Sequence, residues 1–117
     1  MTTSQIRCLL AVLALSETYE RVESKNVAHL LGIKRPTVHN SLTLLQEKGL
    51  IAKELYGSVQ LTENGLALAH TLETQRDDIA LLFSRQFGLL PDESAKAALV
   101  LMSELTVDSL GKLCQTK

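Results

Sequence analysis

The stretch "VAHLLGIKRPTVHNSLTLL", Val27 to Leu45, sets three conditions that few folds impose together. Ala28 is small, Gly32 follows four residues later, and apolar Val38 lies six beyond that. Two helices that cross closely over a sharp turn exclude bulk at the first position and favour glycine at the second. They need an apolar anchor at the third. Pro36 suits the first turn of the second helix, where its missing N–H is not required. Val38, Leu42 and Leu45 recur at i, i+4 and i+7, the inward stripe of that helix, and Gly49 closes it. Ser24 is placed to cap the preceding helix, "KNVAHLL", which buries Val27, Ala28 and Leu31 before Gly32 ends it.

A helix-turn-helix so short needs neighbours to complete a core. A first helix is expected from Ser4 to about Ser16, burying Ile6, Leu9, Leu10 and Leu13 with Leu15 at the margin. "SETYERVES" breaks the pattern. After Gly49 the period changes: "LIAKELYGSVQLT" reads as strands from Ile51 to Leu55 and Val59 to Leu61 around a Tyr56-Gly57-Ser58 turn. Thr62 can cap a long helix that runs from Gly65, with Leu68, Leu72, Ile79, Leu82 or Phe83, and Phe87 on one face and Gly88 at its end. Pro91, Asp92 and Glu93 open another, with Ala98, Leu99, Met102 and Leu105 inward. Thr106 caps a last one carrying Val107, Leu110 and Leu113. The expected class is mainly α: a winged helix-turn-helix over 1–64 with a two-stranded wing, then a helical dimerisation region over 65–117. The apolar residues after Gly65 exceed what a two-helix appendage can bury alone, which motivates a homodimer.

Composition narrows the function classes. At 45% hydrophobic and 21% charged residues, the 117-residue chain is ordinary for a folded protein. "IRCLLAVLAL" is interrupted by Arg7 and falls short of the ~20 residues of a membrane span. No membrane association or secretory leader is expected. Cys8 and Cys114 lie at opposite ends and form no disulfide framework, which fits a cytoplasmic location. No CxxC pair, HExxH, P-loop or GxGxxG is present, and no nucleophile, base and orienting group can be assembled, so an enzyme is not expected. His29, His70 and the pair Asp77-Asp78 read as surface groups.

Charge is uneven on a chain of net −1. Residues 1–57 hold 7 Lys+Arg against 5 Asp+Glu, and residues 58–117 hold 5 against 8. Between Lys34 and Lys53 the balance is +3, from Lys34, Arg35, Lys48 and Lys53 against Glu47. Lys34 and Arg35 stand at the mouth of a helix, whose N-terminus is already partly positive. A solvated face would account for either alone; together they point to an anion. The face opposite Val38, Leu42 and Leu45 presents Lys34, Arg35, Pro36, Thr37, His39, Asn40 and Thr43, and this face would enter a major groove of double-stranded DNA. Asn40 can pair with adenine, Arg35 with guanine, and Thr37 or the Pro36 ring can touch a thymine methyl. Lys34 and the first amides suit phosphate. Lys53, Tyr56 and Ser58 on the wing would meet the flanking backbone or minor groove, although a half-buried hairpin aromatic explains Tyr56 equally well.

"VAHLLGIKRPTVHNSLTLLQEKGLI" followed by "LYGSVQLTENGLALA" resembles the iron- and manganese-dependent repressors of the diphtheria-toxin-repressor type. Their recognition helix opens Pro-[Ser/Thr]-Val, and a "[LV]T..G" element leads into helices for dimerisation. The resemblance implies a homodimeric repressor on a palindromic operator, with Lys34, Pro36, Thr37 and Asn40 at the DNA. The sensor half departs from the pattern. Arg76 stands where the family has a long-helix histidine, and Leu99 to Ser103 replaces its Cys-or-Glu, x, x, Glu-His motif. Cys8 falls on a first-helix ligand position, but Ala11 follows a turn later. A divalent metal needs several converging donors, so no metal cofactor is expected. The rival is a metal-responsive repressor with a rearranged site using Cys8, Asp77 and Glu104. Other rivals are a winged helix serving only as a protein-interaction module and a Cys8 thiol sensor.

Overall fold

The computed structural model describes residues 1–54 and 57–114. Among the described residues the elements in chain order are α1 (Thr3–Ser16), β1 (Val22–Glu23), α2 (Ser24–Leu31), α3 (Arg35–Glu47), β2 (Ile51–Lys53), β3 (Ser58–Leu61), α4 (Glu63–Phe87), α5 (Pro91–Glu104) and α6 (Val107–Cys114). They form two compact units, Ser4–His70 and Met1–Thr3 with residues 71–117. The division between them falls inside α4.

The first unit is a winged helix. Its core is α1, where Ile6 and Cys8 through Leu13 are all buried. The burial extends beyond the one broad face expected, to Cys8, Ala11 and Val12, which makes α1 a core element. Ala28 is buried where α2 meets α3, Val38 is fully buried, and Gly32 takes φ 65°, so the backbone turns left-handed between the helices. The amide of Ile33 donates to the Ala28 carbonyl at 3.2 Å, which closes the turn.

The wing of β2 and β3 is joined by a third strand, in the order β1-β3-β2, because Val22 and Glu23 pair antiparallel with Val59 and Ser58. Two residues of strand leave no period-2 pattern, so the sequence shows only that "SETYERVES" breaks the helical one. One expectation is corrected here. The N-cap of α2 is Glu23, not Ser24: the Glu23 amide donates to Asn26 Oδ1 at 2.9 Å, while the Glu23 carboxylate accepts from the Asn26 amide. This reciprocal pair is a capping box with the acidic residue at the cap.

The passage from wing to α4 is tied down by one threonine. Thr62 Oγ1 donates to the Gly49 carbonyl at 2.6 Å and accepts from the Gly65 amide at 3.0 Å. The same side chain therefore caps α4 and holds its start against the end of α3.

In the second unit Ile79, Ser94, Ala98 and Met102 are buried, with Leu110 from α6. Ser94 Oγ lies 2.9 Å from Ser84 Oγ, and Ser84 also donates to the Leu89 carbonyl, which satisfies both hydroxyls at the α4–α5 turn. Phe87 was expected inward but is 69% exposed, stacked at 5.5 Å on Phe83. It occupies the last residue of α4, where Gly88 at φ 68° turns the chain away. Val107 (80%) and Leu105 are likewise outward. No helix among the described residues is long and apolar enough to cross a membrane.

Candidate nucleic-acid interface

The two faces of α3 are cleanly divided. Val38, Leu42 and Leu45 are fully buried, with Ser41 nearly so, which seats the helix. Lys34, Arg35, Pro36, Thr37, His39 and Asn40 are exposed. Thr43 is half-buried, and its hydroxyl donates to the His39 carbonyl at 2.9 Å. That leaves Thr43 an acceptor and a methyl group.

The start of α3 is electrostatically unusual within this chain. Its N-cap, Lys34, makes no side-chain cap, and no acidic residue stands in the first turn. The first turn of α1 also lacks a carboxylate, whereas α2 is capped by Glu23, and α4, α5 and α6 begin with Glu63, Asp92 with Glu93, and Asp108; the paired cations at its start set α3 apart. A helix start carrying two cations and no carboxylate leaves its amides and its positive end to an external anion.

The remaining basic residues divide. Lys53, on β2, is half-buried, and its Nζ donates to His39 Nδ1 at 3.4 Å, joining wing to helix. Lys48, part of the basic excess in sequence, donates instead to the buried Gln5 Oε1 at 3.0 Å and serves the attachment of α3 to α1. Arg7 donates to the Leu31 carbonyl at 3.3 Å, satisfying the end of α2. Ser58, proposed from sequence as a backbone contact, is only 5% exposed because β1 lies beside it and pairs with it through Glu23. Its side chain is not offered to a ligand. Tyr56 lies outside the described residues.

The donors for a metal do not fit. Cys8 is fully buried; burial pushes its thiol above the ordinary 9.0, with a Ser41 hydrogen bond and the Arg7 charge acting the other way. A thiol so placed stays protonated at neutral pH and is a poor ligand and a poor redox sensor. Asp77 pairs with Arg76 at 3.1 Å. Glu104 is exposed at the end of α5. Among the described residues no group of three or more His, Cys, Asp or Glu comes together.

This arrangement of helices and wing has counterparts among solved structures. The structure of the manganese regulator SloR matches with a TM-score of 0.84 at 23% identity, over 98% of this chain and 54% of that one. The metal-dependent transcriptional regulator MtsR matches at 0.81 and 22%, over 98% and 54%. The chain shares the winged-helix fold of these two structures. A third match, the hypothetical protein SSo2273 from Sulfolobus solfataricus, has a TM-score of 0.71 at 20% identity, and this chain covers 88% of it. The winged-helix chain thus spans about half the length of the two named regulators. No protein-family model and no curated protein matches its sequence.

Proposed function

We propose that the chain is a DNA-binding transcriptional regulator, a homodimeric cytoplasmic repressor that reads a palindromic operator with the outward face of α3. The observation that carries this reading is the start of α3: Lys34 and Arg35 exposed on a helix end that has neither carboxylate nor side-chain cap. Arg35, Thr37, His39 and Asn40 then supply donors, acceptors and a methyl group along one exposed face, the chemistry needed to distinguish base edges in a major groove. The shared winged-helix fold supports it, since MtsR is described as a transcriptional regulator.

Binding to duplex DNA is expected to weaken steeply with salt, with a slope in log K against log salt of about −0.9 per phosphate contacted. Fluorescence anisotropy over a salt series measures this. A flat response would favour the rival reading, a winged helix used only to hold another protein.

The second unit exposes Leu81, Phe87, Leu90, Val100 and Val107. That much unburied apolar surface supports self-association, and light scattering at micromolar concentration is expected to give twice the chain mass. A clean monomer would remove the dimer and leave the recognition face untouched. SloR is described as a manganese regulator, yet the donor positions in this chain do not favour metal control: Cys8 is buried against Ser41 and Asp77 is held by Arg76.

A further inference from the structure

The contact between His39 and Lys53 goes beyond a shared surface. His39 is exposed on the groove-facing side of α3, and Lys53 comes from β2 of the wing. The 3.4 Å approach of Lys53 Nζ to His39 Nδ1 has one chemically sensible form. An ammonium has hydrogens to give and no lone pair, so the ring nitrogen must accept, and only the neutral imidazole can do so. Lys53 reaches it from β2, Arg35 lies one turn before it on α3, and Lys34 stands at the N-cap. Among the described residues no ion pair to His39 is present that would balance an added proton.

We propose that His39 makes DNA binding by this chain proton-linked. The neutral ring holds the wing lysine against the recognition helix. Protonation removes the acceptor, sets a second positive charge beside Lys53, and releases the lysine. Against a phosphate backbone both charges face anions. Affinity for duplex DNA therefore rises as the solution is acidified. The ligand responsible is the polyphosphate backbone, so the effect appears on any duplex and adds to whatever sequence is read by Arg35 and Asn40. This inference rests on the DNA-binding reading above and adds a regulation to the same face.

The test uses the full chain and a short mixed-sequence duplex at low salt, with anisotropy read between about pH 8 and about pH 5.5, the range in which histidine changes charge. The parent is expected to bind about tenfold more tightly at the acid end, with a salt slope steeper by about 0.9 for each added phosphate contact. His39→Gln keeps an acceptor but cannot titrate, and is expected to bind with little dependence on pH. His39→Lys carries a permanent charge, and is expected to bind tightly across the whole range. His29 and His70 are present in all three proteins and cancel in the comparison. Equal pH dependence in the parent and His39→Gln overturns the proposal, as does weaker binding by the parent in acid. Absence of duplex binding by all three at every pH overturns the DNA-binding reading as well, whereas salt-sensitive binding that is flat in pH overturns only the proton link.

Discussion

Gly65→Ala is expected to lower stability by about 3 kcal/mol, the upper end of what overpacking a fixed environment costs. Gly65 has ordinary helical backbone, so its need for glycine is not conformational freedom. A Cβ built there overlaps the Leu50 carbonyl oxygen. That oxygen is not free to move, since it accepts the Thr62 amide at 3.1 Å, and the Leu50 amide donates to the Leu45 carbonyl at 3.0 Å. Relief would require the α3–β2 turn and the start of α4 to part, taking the Thr62 bridge with them. Gly111 is the internal control: it lies within α6, and a Cβ there meets nothing within 4 Å. Gly111→Ala should instead gain a few tenths to about 1 kcal/mol from helix propensity. Thermal melts followed by circular dichroism would separate the two. For a domain of this size the Gly65 variant should melt at least ~10 °C below the parent. Equal melting temperatures for Gly65→Ala and the parent would mean that α4 does not start against Leu50.

A chain carrying both Arg35→Ala and Asn40→Ala should lose about 4 kcal/mol of operator affinity, roughly a thousandfold, if each bidentate base contact contributes about 2 kcal/mol. Both side chains are exposed and neither supports the buried stripe of Val38, Leu42 and Leu45. The melting curve should therefore stay within about 0.5 kcal/mol of the parent, as for other surface changes. Residual binding should be salt-sensitive and indifferent to sequence, because Lys34, Lys53 and the first amides of α3 still meet phosphate. Operator selected from a random pool and titrated against both proteins gives the comparison. Undiminished sequence preference in the double variant would place base reading elsewhere.

How far the sequence alone reached depended on the range of the interaction concerned. The turn between α2 and α3 was readable because its causes are local: Gly32 at φ 65°, Pro36 in the first turn, and an apolar period that repeats within one helix. The caps at Thr62 and Thr106 were readable for the same reason, each accepting from an amide three residues on. What depended on another strand was hidden. Ser58 reads outward from its turn, yet β1, only two residues long, covers it. Lys48 counts toward a basic patch in the sequence but is drawn off by Gln5, 43 positions away. The His39–Lys53 contact depends on how β2 approaches α3, which no periodicity encodes. Phe87 fits the apolar face of α4 by spacing, yet its place at the last residue of the helix leaves it outside. The resemblance to metal-dependent repressors was carried in sequence by the helix-turn-helix, the wing and the entry to α4, while the fold shared with the solved regulators extends over 98% of the chain. The sensor positions depart from that pattern in sequence, and in the structure Cys8 and Asp77 are engaged by Ser41 and Arg76.

The most direct test of the central claim is an amide chemical-shift map of the isotope-labelled chain titrated with duplex DNA. The largest changes should cluster from Lys34 to Thr43 and at Lys53, with little change at Phe87, Leu90 and Val107. Changes concentrated at those apolar residues of the second unit, with Lys34 to Thr43 undisturbed, would contradict the assignment of α3 as the reading helix.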